Sequence, residues 1–335
     1  MYEGVIKMNL KIKKHYIVIA IIIICSALVV ISSNLKMKSE QKQIGILQFI
    51  EHDCLDMARK GFVDELASQG YEDGKNITID YQNAQGDQSV CNSIANNFVG
   101  ANNKKDLILA IATPAAQSVA NLTKDIPTLI TAVTDPVSCG LVKSVEHPGG
   151  NITGTSDRVA VGKQIDLIKK LNPNAKKIGV LYCSSEANSK VQAQTAADEA
   201  KKLGLEARDY TVSSSSELQQ MVEYMCGEVD VIFVPTDNLV VSCMPLVSKV
   251  ATANKTPIIC SESASVKNGA LATYGIDFYE LGRITARQAI RILKGEAKPE
   301  NMAIEYINEP KFVINYEIAK QLGIVIPDEL KGELQ

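Results

Sequence analysis

The sequence predicts an α/β fold of two similar lobes, each a mostly parallel sheet wrapped in helices, with a cleft between them. Three observations carry this. From Ile44 onward, short apolar runs alternate with amphipathic helical stretches, the rhythm of strands buried on both faces. The pattern then restarts: Gly45 recurs as Gly179 and Gly70 as Gly204, with the same offset. Ahead of both lobes lies a lysine-flanked apolar run over 16–31. A chain of 335 residues also exceeds the ~100–200 typical of one domain.

The N-terminal 42 residues read as a signal or anchor segment. Lys11, Lys13 and Lys14 precede the apolar run. Its sixteen residues would span about 24 Å as a helix, short of the ~30 Å hydrocarbon core. That length suits a signal-peptide core or a short anchor. The lysines keep the N-terminus cytoplasmic, so the body is expected outside the membrane. Cys25 is a candidate lipidation site, but Ile24 before it is not the small residue such a signal uses.

The first 43 residues hold seven lysines against Glu3 and Glu40, so the remainder is acidic. An acidic body excludes nucleic acid as a partner, which needs a basic footprint. The absence of Trp and an aromatic content of 5% argue against a carbohydrate platform. Seven cysteines follow Cys25, at 54, 91, 139, 183, 226, 243 and 260. They form no CxxC pair and no zinc spacing with His. They read as small hydrophobes of the core.

Lobe one is expected over 43–155. Its strands are 44–48, 77–81, 106–111 and 128–133; its helices are 55–68, 89–99 and 114–122. Lobe two is expected over 156–270, with strands at 177–182, 230–234 and 256–260. Residues 271–335 form a return segment that completes the lobes and supplies a hinge. It holds strands at 271–275, 304–307 and 311–315, and helices at 279–293 and 316–322.

Ligands of open parallel sheets sit beyond the carboxyl ends of the strands. In lobe one those loops carry Gln48, Phe49, Glu51 and His52, then Thr113, Pro114, Ala115 and Ala116, then Thr134 and Asp135. In lobe two they carry Tyr182, Ser184 and Ser185, then Thr236, Asp237 and Asn238, then Glu262; Tyr274 and Asp277 follow from the return segment. The free N–H groups of the helix starting at Thr113 suit a carboxylate, as do the Ser184 and Ser185 hydroxyls. Asp135, Asp237, Glu262 and Asp277 suit an ammonium group, with Asp237 and Asp277 preferred. Phe49, Tyr182 and Tyr274 are placed to flank a ring. Together these fit an amino acid with an aromatic or large apolar side chain. Each residue also has a plainer role: Thr113 and Thr236 as helix caps, Asp135 before Pro136 as a turn.

Catalytic signals are weak. His occurs only at 15, 52 and 147, and no nucleophile elbow, phosphate-binding loop or GxGxxG is present. No metal or cofactor is expected.

At this point the sequence resembles the substrate-binding proteins of ABC transporters, in particular the group associated with tryptophan and tyrosine uptake. The resemblance covers about 43–330. Its marks are Gln48-Phe49-Ile50-Glu51-His52, Ala110-Ile111-Ala112-Thr113-Pro114-Ala115-Ala116, Ala132-Val133-Thr134-Asp135-Pro136, and Gly149-Gly150-Asn151-Ile152-Thr153-Gly154-Thr155-Ser156-Asp157. Further marks are Ile178-Gly179-Val180-Leu181-Tyr182, Pro235-Thr236-Asp237-Asn238, Ala272-Thr273-Tyr274-Gly275-Ile276-Asp277 and Leu281-Gly282. The chain departs at Asp53-Cys54, where the family often has Pro and a small residue.

The resemblance implies two Rossmann-like lobes of the type I periplasmic-binding-protein fold and no catalysis. It also implies delivery of ligand to a permease with its ATPase subunits. A monomer, held at the outer face of the cytoplasmic membrane by its N-terminal segment, is expected. The alternative is a membrane-tethered sensory domain. The fifteen residues ahead of the apolar run are too few for a cytoplasmic output domain.

Overall fold

The computed structural model describes residues 41–332. The lysine cluster, the apolar run and Cys25 lie outside the described residues. Among the described residues, no helix is long and apolar enough to cross a membrane.

Lobe one is built on β1 (Lys42–Gln48), β2 (Ile77–Asn83), β3 (Leu107–Ile111), β4 (Thr128–Thr131) and β5 (Ile152–Ser156). Between them run α1 (Asp53–Ser68), α2 (Gln88–Val99) and α3 (Thr113–Leu122). Lobe two begins with α4 (Val161–Leu171) and continues through β6 (Lys177–Cys183), α5 (Ala187–Lys202), β7 (Glu206–Val212) and α6 (Leu218–Cys226). Then come β8 (Val231–Val234), α7 (Asn238–Ser242), α8 (Met244–Ala253), β9 (Ile258–Cys260), α9 (Ser263–Lys267) and β10 (Ala272–Gly275). The chain returns through α10 (Phe278–Leu293), β11 (Glu305–Tyr306), β12 (Lys311–Ile314), α11 (Tyr316–Leu322) and α12 (Asp328–Lys331).

The first sheet has the order β11-β5-β4-β3-β1-β2, with every pair parallel. The second has the order β12-β10-β9-β8-β6-β7 and is parallel except for β12 against β10. The return segment therefore serves both lobes: β10 and β12 close the second sheet, whereas β11 closes the first. The chain passes between lobes at 157–160, 276–277 and 307–310.

The repeated glycines have a packing cause. A Cβ on Gly45 would lie 2.7 Å from the Phe98 ring of α2. A Cβ on Gly179 would lie 2.8 Å from the Met225 methyl of α6. In each lobe the first strand gives up its side chain so that a covering helix can seat a large one. Successive residues of β6 then feed opposite faces. Val180 packs with Ile165 and Phe233, and Leu181 packs with Ile232 and Met225.

Two strands escape the apolar-run criterion. β5 reads ITGTS and is wholly buried. Its hydroxyls are satisfied inside: Thr153 donates to Met302 O at 2.7 Å, and Ser156 donates to Thr134 O at 2.9 Å. β7 is an edge strand whose exposed positions carry Glu206, Arg208, Asp209 and Thr211. All seven cysteines of the described residues are unpaired; four are buried and three half-buried.

Helix α10 ties the return segment to lobe one through a close crossing with α1. A Cβ on Gly282 would meet Ala58 O at 1.9 Å, and one on Gly61 would meet Tyr279 O at 2.0 Å. The crossing is reinforced at its rim by Arg283 Nε donating to the buried Glu65 at 2.8 Å. Gly282→Ala is expected to force the helices apart, and overpacking of this kind costs about 1–3 kcal/mol. Denaturant unfolding of that variant should show a lowered midpoint with an unchanged slope.

Candidate functional site

The carboxyl ends of both sheets face the seam between the lobes. The β1 loop is organised by Gln48. Its amide donates to Ile50 O and to Asp56, and its carbonyl accepts from Arg59 and Tyr81. Gln48 therefore builds the loop, and its polar atoms are occupied there. The Phe49 ring is buried in the core of lobe one, and Glu51 is exposed. His52 reaches across the seam, with Nε2 3.5 Å from Asn238 Oδ1 of lobe two. Burial pushes its imidazole down to about 4, against weaker opposing effects from Asn238, Asp56 and Asp53. It is thus neutral at physiological pH.

At the ends of β3 and β4, Ala112 and Ala132 hold φ of 79° and 54°. Left-handed backbone at non-glycine residues stores strain of order 1–3 kcal/mol each, and such strain clusters at functional sites. Here it turns the chain sharply into α3, whose first residues Thr113, Pro114, Ala115 and Ala116 are all buried. Their small size lets α5 of lobe two approach.

Thr134 is buried beside Asp157. Asp135 forms the turn into Pro136: Oδ1 accepts from Val137 N and Ser138 N, and Oδ2 from the Ser138 hydroxyl. At the end of β5 stands Asp157, 2% exposed, with neither carboxylate oxygen hydrogen-bonded. The Thr134 hydroxyl faces it without completing a hydrogen bond. Burial pushes the Asp157 carboxyl up to about 6.

Lobe two supplies three more buried carboxylates. Asp237 caps α7, accepting from Val240 N at 2.8 Å and from Cys183 N at 2.6 Å. Glu186 accepts from Asn238 N, Leu239 N and Asn188 Nδ2. Both carboxyls are pushed up, first by burial and, for Glu186, by the charge of Asp237. Glu262, 2% exposed, keeps Oε2 without a partner. Burial pushes it up to about 8, with Asp157, Asp237 and Glu186 adding repulsion. Thr236 is locked to Gln192, whose amide both donates to its hydroxyl and accepts its N–H at 2.8 Å. Asn188 donates to Thr236 O, leaving Oδ1 unpartnered.

The remaining expected residues are engaged elsewhere. Tyr182 donates its hydroxyl to Asp209 of β7, and Ser184 bonds Val212 O through N–H and hydroxyl. Ser185 is exposed, its hydroxyl 3.1 Å from Cys183 Sγ. The Tyr274 ring packs on Phe312. Asp277 is exposed and caps α10 through Glu280 N. The seam instead brings together Asp157 and Glu186, which were not among the expected site residues, with Asp237 and Glu262, which were.

Among the described residues, the one buried lysine or arginine is Lys105, and it pairs with Asp80 away from the seam. Four carboxylates from both lobes are therefore buried together without a buried protein cation; Arg158 and Lys163, which line the adjoining cavity, are exposed. The unpartnered atoms on Asp157, Glu262 and Asn188 are all acceptors. The arrangement calls for a donor-rich cation. Beside it, a cavity of about 500 Å³ opens against the crossings between the lobes. Thr134 and Gln192 line it from the two lobes, with Val159, Val191, Ile276 and Ile307 as apolar wall.

Comparison with known proteins follows this geometry. The family model described as ABC transporter substrate binding protein matches residues 43–333. A curated tyrosine-binding protein of Clostridioides difficile is 50% identical, over 85% of this chain and 82% of its own length. A Streptococcus pneumoniae domain solved in complex with L-Trp is 42% identical, with TM-score 0.84 over 88% of this chain and 98% of that one. A Clostridium difficile substrate-binding protein in a ligand-free, open structure is 49% identical, yet its TM-score is 0.65 over 85% of this chain and 96% of that one. The superposition is better with the ligand-bound structure than with the ligand-free, open one, despite the lower identity. The chain belongs to the ABC transporter substrate-binding protein family and is a solute-binding protein of such a transporter, with two lobes of the type I fold.

Proposed function

We propose that the ligand is an aromatic L-α-amino acid, held in the seam and the adjoining cavity. The observation that carries this is the set of buried carboxylates without a cation, above all Asp157 with both oxygens free of partners. The ammonium group of the ligand meets Asp157, with Thr134 beside it. The ligand carboxylate meets the first turn of α3, whose N–H groups and positive dipole end favour an anion. The side chain occupies the cavity, whose apolar wall and volume of about 500 Å³ suit an aromatic ring. The relatives named for tyrosine and solved with L-Trp support the same ligand class. The loaded protein, a monomer held at the outer membrane face by its N-terminal segment, docks on a permease with its ATPase subunits. It carries out no chemistry on the ligand.

Isothermal titration with L-tyrosine and L-tryptophan tests the reading. Hydrogen bonds to charged groups contribute about 1.5–3 kcal/mol net. Asp157→Asn should therefore weaken binding roughly tenfold to a hundredfold, with an unchanged circular dichroism spectrum. Unchanged affinity would remove Asp157 from the ammonium site, and no binding of any amino acid by the wild type would overturn the ligand class.

The charge set also fixes a pH response. The Asp157 and Glu262 carboxyls are raised above their ordinary values, to about 6 and about 8. The folded ligand-free protein thus binds more protons than the unfolded chain, and its stability declines as pH rises through that window. Thermal unfolding without ligand should show a melting temperature that falls from about pH 5 to about pH 8. Ligand affinity should run the opposite way, weakening below about pH 6 as Asp157 takes up its proton. Calorimetry across that range measures both trends.

A further inference from the structure

Next to the unpaired carboxylates, the seam gathers three different kinds of donor atom. His52 and Cys54 come from the N-terminal end of α1 in lobe one, and Glu262 from the end of β9 in lobe two. One ligand atom from each lies within 4.8 Å of the other two. All three side chains are buried, Cys54 at 3% exposure and His52 at 8%. Two of the three carry an unsatisfied buried atom, Nδ1 of His52 and Oε2 of Glu262. Unpartnered polar atoms cost free energy when buried, and here they stand beside a thiol that itself donates to Glu262 across the seam.

We propose that His52, Cys54 and Glu262 form a binding site for a zinc-class transition metal that joins the two lobes in the closed state. The donor set decides the metal class. Imidazole nitrogen, thiolate sulfur and one carboxylate oxygen suit Zn²⁺, whereas Ca²⁺ and Mg²⁺ take oxygen ligands almost throughout. Three protein donors leave a fourth tetrahedral position for water. The charge balance agrees. One ligand ammonium cannot neutralise Asp157, Glu186, Asp237 and Glu262 together, and a divalent ion bound at Glu262 reduces the charge that remains. Binding releases the Cys54 thiol proton, and the proton that Glu262 holds, to solvent as the sulfur–metal and oxygen–metal bonds form. The His52 ring is already neutral and offers its lone pair. Because the donors come from both lobes, metal binding favours closure by its differential affinity for the closed form. The site does not require the ligand to be an amino acid.

Co²⁺, a spectroscopic stand-in for Zn²⁺, tests this on the full-length chain purified in detergent and stripped with a chelator. The expected result is one equivalent of Co²⁺ bound, with a thiolate-to-cobalt absorption in the near ultraviolet that Zn²⁺ abolishes. Cys54→Ser should lose that absorption. Glu262→Gln, changed in the opposite lobe, should keep it but weaken Co²⁺ at least tenfold. Circular dichroism confirms the fold of each variant, and Cys54→Ala repeats the first comparison with a smaller side chain. Absence of the absorption in the wild type, its survival in both Cys54 variants, or unchanged affinity in Glu262→Gln would each overturn the proposal.

Discussion

Acidic groups buried without a counter-charge are the constraint around which this structure is arranged. Asp157, Glu186, Asp237 and Glu262 lie buried at one seam, and burying a carboxylate is costly unless it is paired or hydrogen-bonded. Two of the four are accommodated by the protein. Asp237 and Glu186 sit at the start of α7, where backbone N–H groups and the helix dipole receive them. Asp157 and Glu262 are left with unpartnered oxygens. The seam therefore lacks part of its own stabilisation, and under the proposed function a cationic group of the ligand supplies it. On that proposal binding and closure are one event, because the contacts that favour the ligand need residues of both lobes.

The scaffold makes that seam possible by repetition and return. Each lobe opens with a glycine-bearing strand over which a helix packs closely, so the two sheets present equivalent strand ends. The chain then crosses three times between them along one edge. The tight α1–α10 crossing at Gly61 and Gly282 pulls the return segment firmly onto lobe one, while β10 and β12 stay in lobe two. Rigid lobes with soft connections let the loops after β1, β3, β4 and β5 meet those after β6, β8 and β9. The strained alanines at 112 and 132 show where this geometry is bought against local preference.

The loops that form the seam were legible in the sequence because strand ends follow from apolar runs. Which residues in them face the ligand was less legible, for a physical reason. An aspartate at a strand–helix junction looks the same whether it caps a helix or waits for a ligand. Asp135 and Asp277 spend their oxygens on local N–H groups, whereas Asp157, in an equivalent place, spends none. Asp157 was hidden because β5 is a Thr- and Ser-rich strand whose hydroxyls are paired internally, and polar composition does not announce a buried strand. Tyr182 shows the limit of proximity along the chain. It sits one residue from the end of β6, yet its hydroxyl goes to Asp209 on the neighbouring strand.

The central claim is that the cleft needs a cationic group on its ligand. Calorimetric comparison of L-tyrosine with its deaminated analogue, 3-(4-hydroxyphenyl)propionate, tests it most directly, since the ring and carboxylate are kept and only the ammonium is removed. The account predicts that the analogue binds at least a hundredfold more weakly, because it leaves Asp157 unpaired and brings a net negative charge where tyrosine brings none. Equal affinity for the two compounds would contradict it.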